Sequence, residues 1–256
     1  MDLMDGVMAL IPRVRPAQDL FDRCRIIAHR GAHGPNVLEN TVEAFDSAIE
    51  IGAWAIEFDI RWTRDDVPVV HHDKDCVRTF NDPHILEENA FELLRVKFAK
   101  IPSLKEVVER YRGKTHFMIE LKKSQGAWTN ERLKILGDVL SPLRSVQDYH
   151  LMSLDAELLL RCDFAERAAL LPVAEFNGEE LSQIAIREKM GGLTGHYALV
   201  TERQVRRHLD AGQHVGTGFI ASPSVMNREI ARGVDLIFTN DSRMAMNLVK
   251  RPSTLP

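Results

Sequence analysis

Short strand-like runs alternate with helical stretches along this 256-residue chain, and that alternation limits its fold more than any other feature. Runs rich in β-branched and apolar residues predict strands at residues 25–29, 55–60, 116–121, 149–153, 168–172, 196–200, 214–220 and 235–239. Helices are predicted after them, at residues 41–51, 103–111, 130–140, 155–164, 179–189, 201–211, 224–232 and 242–250. Repeated βα units predict a parallel sheet. Eight such units in about 230 residues predict an α/β fold of the TIM (β/α)8 barrel type, and a doubly wound open sheet is the alternative.

One apolar run, at residues 67–72, follows the second predicted strand too closely to be its parallel neighbour. A parallel crossover needs about a dozen residues, and only residues 61–66 separate the two runs. We therefore expect a short hairpin-like extension after strand two. Because no linker-like segment divides the chain, a single barrel domain is expected over residues 1–256, with residues 1–24 as an N-terminal extension.

The composition argues against several broad classes of protein. A net charge of −4 disfavours nonspecific binding of nucleic acid, which needs a basic surface. The chain has three cysteines and no Cys-x-x-Cys pair, a pattern typical of reduced thiols in a cytoplasmic protein. No apolar run approaches about 18 residues, so we expect no transmembrane segment. The apolar run at residues 7–12 is too short for a secretory signal.

Acidic residues stand at the carboxyl ends of the second and third predicted parallel strands, the edge at which TIM-barrel active sites lie. Glu57 and Asp59 are two residues apart, so both side chains point to one face of the strand. Glu120 and Lys122 are spaced in the same way. Oxygen ligands suit Mg²⁺ or Ca²⁺ better than Zn²⁺, so Glu57, Asp59 and Glu120 are predicted to bind one divalent cation. The alternative is a structural ion pair of Glu120 with Arg30 or Lys122.

Two histidines that end apolar strand-like runs are the candidate acid and base. His29 ends the first predicted strand and His72 ends the run at residues 67–72. An imidazole titrates near neutral pH, so one ring can accept a proton while the other donates one, as cleavage of a phosphodiester requires. By strand alternation, the neighbouring His71 is expected to face the other way. His33, in the following loop, is a weaker candidate for a substrate contact.

The candidate ligands for a phosphate group are basic. Arg30 is the first of them, because its planar guanidinium can hold two phosphate oxygens. Lys122 is the second and would act as a point charge. Glu39 is predicted either to orient Arg30 or to contact the substrate. Asn40 precedes the helix that begins near Thr41, and we expect its side chain to cap that helix.

Taken together, these motifs resemble those of the glycerophosphodiester phosphodiesterase family over residues 25–241. The motifs that carry the resemblance are His29-Arg30-Gly31, Glu39-Asn40-Thr41, Glu57-Phe58-Asp59, His72-Asp73 and Ile119-Glu120-Leu121-Lys122. The resemblance implies a small-molecule phosphodiester substrate that is cleaved to an alcohol and glycerol 3-phosphate. It also implies acid/base roles for His29 and His72 and phosphate binding by Arg30. The metal ligands that it implies are Glu57, Asp59 and Glu120.

The chain departs from the family pattern in two places. Leu38 stands where the family usually has proline before the Glu-Asn-Thr triplet. Residues 216–219 read Gly-Thr-Gly-Phe, where the seventh strand of the family commonly reads Trp-Thr-Val-Asn. We therefore expect an aromatic wall to be missing at Gly216 and the pocket to be wider there. The alternative is that Phe219 or Tyr197 fills the gap.

Other functions stay open on the sequence alone. The two glycines of the seventh strand leave room for a larger group, which allows a lysophospholipase D or a sugar-phosphodiester hydrolase on the same barrel. An inert phosphodiester-binding barrel is disfavoured, because none of the candidate catalytic residues is replaced. A zinc-dependent, amidohydrolase-like barrel usually carries His-x-His on its first strand, where this chain has His29-Arg30-Gly31.

Overall fold

The computed structural model describes residue 13 and residues 15–123, 126 and 128–250. The strands are β1 (Arg25–Ala28), β2 (Ala55–Trp62), β3 (Pro68–Val70), β4 (His116–Leu121), β5 (Tyr149–Ser153), β6 (Leu170–Ala174), β7 (Gly192–His196), β8 (His214–Gly218) and β9 (Leu236–Thr239). The helices are α1 (Gln18–Arg23), α2 (Val42–Ile51), α3 (Val77–Phe80), α4 (Phe91–Lys97), α5 (Leu104–Tyr111), α6 (Asn130–Leu140), α7 (Ala156–Leu160), α8 (Gly178–Arg187), α9 (Glu202–Asp210), α10 (Pro223–Ala231) and α11 (Ser242–Lys250).

Eight parallel strands form a closed barrel. β1 pairs in parallel with both β2 and β9, and the remaining pairs run in the order β2, β4, β5, β6, β7, β8 and β9. This closure confirms the predicted TIM barrel and excludes the open sheet. β3 pairs antiparallel with β2, with Ile60 opposite Val70, which confirms the hairpin-like extension.

Two strand predictions were displaced along the chain. The sixth parallel strand, expected at residues 196–200, is β7 at Gly192–His196. Its sequence, Gly-Leu-Thr-Gly-His, lacks the β-branched run on which the prediction depended, so strand preference pointed to the residues that follow. The fifth parallel strand, expected at residues 168–172, is β6 at Leu170–Ala174, because a 3-10 helix at Arg167–Ala169 precedes it.

Most predicted helix caps are found in the structure, but the predicted cap of α2 is wrong. Ser103 caps α5 and Thr201 caps α9, each in a capping box, as expected. Asn40 does not cap α2. The cap is Thr41, whose hydroxyl accepts the main-chain N–H of Ala44, while Asn40 is buried with a left-handed backbone (φ 57°). The side chain of Asn40 is therefore available for another role.

The extension before the barrel is partly packed against it. Phe21 of α1 is fully buried in a cluster with Ile26 of β1 and Val225 and Met226 of α10. The single-domain assignment over residues 1–256 stays a prediction, since residues 1–12 lie outside the described residues. In the part of the chain that the structure describes, every helix is too short or too polar to cross a bilayer.

Candidate active site

A cavity of about 420 Å³ opens at the carboxyl ends of the barrel strands. Its volume is within the usual range for small-molecule sites. Six of the eight predicted site residues line it: His29, Arg30, Glu57, His72, Glu120 and Lys122. Asp59 is fully buried beside them, and Glu39 lies behind Arg30 rather than on the cavity wall. The strand ends thus bring together the residues that the sequence singled out.

Three buried carboxylates form the acidic part of the site. Glu57 and Asp59 project from β2, and the parallel register places Asp59 opposite Glu120 of β4. One oxygen from each of the three residues lies within 4.8 Å of the others. Burying three carboxylates together is unfavourable unless cations compensate them.

Two cations of the chain compensate part of this charge. Lys122 Nζ lies 2.6 Å from Glu120 Oε1 and 3.0 Å from Asp59 Oδ1, and Arg30 Nε lies 3.4 Å from Asp59 Oδ2. Burial disfavours the Asp59 carboxylate, but Lys122 and Arg30 outweigh it and hold the pKa of Asp59 below its usual range. Burial likewise opposes the Lys122 ammonium, but Asp59 and Glu120 raise its pKa. The alternative ion pair of Glu120 is therefore present, with Lys122, and Asp59 is paired as well.

Glu57 is the carboxylate that these cations leave uncompensated. Its Oε2 accepts the main-chain N–H of Arg30 at 2.8 Å, while its Oε1 is buried with no hydrogen-bond partner among the described residues. Burial, together with repulsion from Asp59 and Glu120, raises the pKa of Glu57 well above its usual value. An unsatisfied oxygen in an all-carboxylate cluster fits a hard divalent cation such as Mg²⁺ or Ca²⁺.

His29 is held in one orientation by Asn240. His29 Nδ1 lies 2.6 Å from Asn240 Oδ1, and since an amide oxygen only accepts, the ring proton is assigned to Nδ1. The lone pair of Nε2 is then on the side of Glu57, whose Oε2 is 3.9 Å away. Burial, reinforced by the charge of Arg30, lowers the pKa of His29 to about 3, so the ring is neutral.

His72 is the second cavity histidine and is held by a carboxylate. Its Nδ1 lies 2.8 Å from Asp73 Oδ1, and Arg78 Nε donates to the other oxygen of Asp73 at 2.7 Å. Arg61 fixes the backbone here by donating to the carbonyl of His72 at 2.8 Å. Burial lowers the pKa of His72 despite the charge of Asp59. A half-buried ring with one nitrogen anchored can exchange a proton at the other.

His71 faces away from the cavity, as strand alternation predicted. Its two ring nitrogens are 2.9 Å from the carbonyl of Asp73 and 2.9 Å from Thr79 Oγ1, so both are occupied within the protein. The ring also stacks on Phe80, with centroids 6.2 Å apart. His71 is thus part of the packing behind the site.

Arg30 is fixed from behind by Glu39. Arg30 Nη1 donates to Glu39 Oε1 at 2.9 Å, and Arg78 donates to both oxygens of the same carboxylate. Burial opposes this carboxylate, but the two arginines lower the pKa of Glu39 to about 2. The turn after Arg30 needs Gly31: its φ is +79°, and an added Cβ would lie 2.7 Å from Ala44 Cβ.

The roles of three contributors to the site were not predicted from the sequence. Asn40 Nδ2 donates to Asp59 Oδ2 at 2.8 Å, Asn240 orients His29, and Arg78 bridges Glu39 and Asp73. The ring of Phe219 packs on His29, with centroids 4.4 Å apart. Asn240 immediately follows a barrel strand, so the same positional rule that selected Glu120 could have found it. Asn40 stands in the Glu39-Asn40-Thr41 motif but was assigned to the helix cap, and Arg78 carried no comparable signal.

The expected opening at Gly216 is absent. A Cβ on Gly216 would lie 2.8 Å from Phe238 Cε2 and 2.8 Å from Thr194 Cγ2, so neighbouring side chains already fill the space. The prediction of a wider pocket at this position was wrong. Phe219 and Phe238 both line the cavity, and they provide its aromatic wall.

The cavity has two chemically different halves. The carboxyl-terminal parts of β1 to β4 and the residues that follow them supply most of its charged residues and its two acid/base candidates. The loops after β5, β6, β7 and β8 supply Leu154, Phe176, Leu199 and Phe219. Met152, Val173 and Phe238 continue the apolar surface inward, and Glu175 and His196 are the ionisable residues among this half of the lining.

A TIM barrel whose strand ends combine a carboxylate cluster, two histidines and an arginine defines an enzyme of the phosphodiester hydrolase class. The model of the Glycerophosphoryl diester phosphodiesterase family matches residues 29–244. The chain belongs to this family. The family prediction and the prediction of a phosphodiester-hydrolysing enzyme are thereby confirmed.

Known proteins resemble the chain over most of its length. A glycerophosphodiester phosphodiesterase of Caldanaerobacter subterraneus is 28% identical over 246 residues, which are 88% of this chain and 98% of that protein. The crystal structure of a glycerophosphodiester phosphodiesterase from Thermotoga maritima is 25% identical, with a TM-score of 0.75 over 88% of this chain and 98% of that one. A phosphodiesterase of Oleispira antarctica, solved with the product sn-glycerol-3-phosphate, shares the fold at 20% identity. Its TM-score is 0.77, and the match covers 89% of this chain and 97% of that one. Matches to three Bacillus relatives cover 44%, 46% and 51% of those proteins.

Proposed function

We propose that this enzyme hydrolyses glycerophosphodiesters to an alcohol and glycerol 3-phosphate. The observation that carries the proposal is a single cavity in which an uncompensated carboxylate, Glu57, adjoins two histidines and an anchored arginine. The product bound to the Oleispira antarctica phosphodiesterase is consistent with the same reaction.

Glu57, Asp59 and Glu120 would hold one divalent cation, Mg²⁺ or Ca²⁺. Their oxygens are close enough to share one ion, and Glu57 Oε1 lacks any partner among the described residues. When bound, such a cation neutralises the cluster and stabilises negative charge on the phosphoryl oxygens. Lys122, already between Asp59 and Glu120, supplies a second positive charge to the same oxygens.

The two histidines would divide the proton transfers. His29, neutral and with its Nε2 lone pair free, accepts the proton of the attacking hydroxyl group. His72 protonates the oxygen of the leaving alcohol, and Asp73 stabilises the ring while it is charged. Arg30 orients the phosphate with its guanidinium, which Glu39 holds in position.

The remaining alternatives have less support. The cluster that would bind the metal consists of carboxylates, whereas zinc sites usually include histidine or cysteine. The apolar half of the cavity offers few hydrogen-bonding groups to a sugar. An inert barrel would have no need for an orphaned buried carboxylate beside two oriented histidines.

The location and domain extent of the protein are also proposals. We infer a cytoplasmic enzyme that acts on a small molecule, and the support is its three free thiols, Cys24, Cys76 and Cys162. The family match over residues 29–244 supports a single catalytic domain, to which residues 1–24 are an extension.

Metal removal tests the proposed function. The purified chain should release glycerol 3-phosphate from glycerophosphodiesters, lose that activity on exhaustive chelation, and regain it with Mg²⁺ or Ca²⁺. Titration calorimetry should show weaker cation binding by Glu57→Gln than by wild type, while exposed Glu131→Gln is a matched control. Undiminished turnover after verified metal removal, or equal cation affinities for all three proteins, would contradict the metal assignment.

A further inference from the structure

A row of charged side chains links the proposed proton donor to the proposed phosphate ligand. Arg78 stands at its centre: its Nε lies 2.7 Å from Asp73 Oδ2, and its Nη1 and Nη2 lie 3.0 and 2.6 Å from the two oxygens of Glu39. Asp73 in turn holds His72, and Glu39 holds Arg30. The contacts therefore run in the order His72, Asp73, Arg78, Glu39 and Arg30, and the middle three are outside the cavity lining.

The guanidinium of Arg78 is fully engaged by carboxylates. Each of its three nitrogens faces a carboxylate oxygen, and a guanidinium is a rigid plane. Two bonds to Glu39 therefore fix the direction in which Nε points. Glu39 is the firm end of this link, because it is largely buried and is also held by Arg30. Asp73 is the end that needs support, because a larger part of its side chain is exposed to water.

The backbone of Arg78 is placed by other contacts. Arg78 belongs to α3, and buried Cys76 before it donates its main-chain N–H to the carbonyl of His84 at 2.9 Å. Thr79 Oγ1 lies 2.9 Å from His71 Nε2. Half of the Arg78 side chain is exposed, and exposed ion pairs add little to stability. Loss of the guanidinium should therefore leave the fold intact, so a large effect on turnover would come from the group that it positions.

We propose that Arg78 is a positioning residue that aims the carboxylate of Asp73 at His72, with its own anchor on Glu39. The inference rests on the proposed function and assigns the support of its proton donor. As the P–O bond to the leaving group breaks, the electron pair goes to the alcohol oxygen, which takes the Nε2 proton of His72. The attacking hydroxyl gives its proton to His29, and both rings regain their starting protonation by exchange with water.

Two other roles of Arg78 would give different kinetics. A second phosphate ligand would act on every substrate, whatever its leaving group, and its loss would weaken substrate binding. A purely structural contact would slow the cleavage of every substrate to the same degree. Support of the proton donor instead affects the chemical step alone, and only when the leaving oxygen needs a proton.

The first experiment compares two esters of glycerol 3-phosphate that differ in leaving group. Ethanolamine needs a proton donor to leave, whereas p-nitrophenol leaves as a stabilised phenolate without one. Single-turnover rate constants at saturating enzyme measure the chemical step, so slow product release does not hide it. Arg78→Gln should lower this rate constant by about 10- to 100-fold on the ethanolamine ester and by less than about threefold on the p-nitrophenyl ester. The half-saturating concentration should change by less than about twofold.

The ratio of the two losses decides the inference. An equal loss on both esters would indicate a structural or phosphate-binding role and would overturn it, as would an unchanged rate on the ethanolamine ester. Wild type that cleaves neither ester would reject the proposed function, and the inference with it. Wild-type cleavage of both esters with no effect of Arg78→Gln would leave the proposed function intact and reject the inference alone.

Two further variants separate position from charge and from folding. Arg110→Gln is the matched control, because Arg110 has a side chain 51% exposed against 50% for Arg78 and pairs with Asp46 outside the cavity lining. It should cleave both esters as wild type does. Arg78→Lys keeps the charge but cannot direct three nitrogens, so it should regain less than about threefold of the lost rate. Full recovery with lysine would show that charge alone matters and would overturn the positioning role.

A double-mutant cycle tests whether the effect passes through Asp73. Asp73→Asn removes the charge that Arg78 holds, and it should show the same dependence on the leaving group. In the Asp73→Asn protein, adding Arg78→Gln should slow cleavage of the ethanolamine ester by less than about twofold, because the carboxylate to be aimed is already gone. Losses that multiply independently would show that Arg78 acts by another route and would overturn the inference.

Discussion

The two ends of the barrel both contain buried histidines, but among the described residues the other features of an active site are gathered at one end. At the carboxyl ends of the strands, His29 adjoins a carboxylate cluster and a cavity. At the amino ends, His116 of β4 lies 2.8 Å from His150 of β5, Nε2 to Nδ1. The other nitrogen of His116 is 3.1 Å from the carbonyl of Gln147, and His214 of β8 is paired with Asp235.

The pKa values of the histidines do not distinguish the two ends. Burial lowers the pKa of His116 to about 4 and that of His150 to about 3, as it lowers that of His29 to about 3. Among the described residues, the acidic triad is the one cluster of three close metal-ligating groups, and it is at the carboxyl end. A low histidine pKa here therefore indicates burial, whereas a carboxylate cluster beside a cavity, with Glu57 left uncompensated, indicates the site.

The largest expected effect is on turnover at the carboxyl end. His29→Ala and His72→Ala should each lower kcat by about 10²- to 10⁴-fold, since each removes a positioned acid or base. His150→Ala should leave kcat within about threefold, because His150 is at the opposite end of its strand and is not among the cavity-lining residues. Steady-state kinetics on folded protein, verified by circular dichroism, measures this. A similar loss for His150→Ala and His29→Ala would remove the distinction between the two ends.

Arg30→Lys is expected to have the next largest effect. An ammonium cannot reproduce the fork that binds two phosphate oxygens, so kcat/KM should fall by about 10²-fold. Arg132→Lys, which changes an arginine that pairs with Asp66 and Glu87 outside the cavity, is the control. A lysine variant at position 30 with nearly wild-type kinetics would show that Arg30 only holds Glu39.

Asn240→Ala should have a smaller effect on turnover. Without the amide oxygen, nothing fixes the proton of His29 on Nδ1, and a positioning contact of this kind is worth about 10- to 100-fold. The loss should be in kcat with little change in KM, and Asn240→Asp, which keeps an acceptor, should restore part of it. Equal kinetics for Asn240→Ala and wild type would mean that His29 is oriented by other contacts.

The smallest effect concerns stability at the amino end. His150 is 2% exposed, and its pKa is about 3 in the folded state against an ordinary value of 6.5. The unfolded chain therefore binds more protons, so the stability contributed by neutral His150 is present above about pH 6.5 and lost as the pH falls toward 3. The expected slope is about 1.4 kcal/mol per pH unit.

Urea unfolding between pH 7 and pH 4.5 measures this slope. Because glutamine cannot titrate, the free energy of unfolding of His150→Gln should fall less steeply with decreasing pH than that of wild type. The difference in slope should correspond to the uptake of about one proton. Activity at pH 7 should be unchanged in folded protein. Parallel curves for the two proteins would show that His150 is protonated in the folded state or accessible to water.

How far the sequence predicts the molecule depends on which elements carry a local signal. The bounds of β4, β5, α6 and α11 were predicted correctly, because each is an apolar run between clear turn or capping residues. β7 was not, because a strand rich in glycine is held by its neighbours in the barrel rather than by its own preferences.

The site shows the same division. Glu57, Asp59 and Glu120 could be placed by strand period and strand end alone, and the structure brings them together. Their roles stay predictions. The contact of Arg78 with Glu39 could not be predicted from the sequence. The two residues are 39 positions apart, and they meet because the segment after β3 folds back over the site. Gly216 was misjudged because the side chain that fills its space, Phe238, comes from a neighbouring strand.

The two-sided cavity also has a consequence for how such an enzyme can diversify. The carboxylate cluster, both acid/base histidines, Arg30 and Lys122 are encoded before residue 123, and the apolar lining of the cavity after residue 150. Mutation of the loops after β5, β6 and β7 can therefore remodel the ligand preference without replacing these residues, whereas Asn240, which orients His29, also lies in the second half. The departure from the family pattern at residues 216–219 falls in that second half, which makes the β5–β8 loops the natural target for directed evolution.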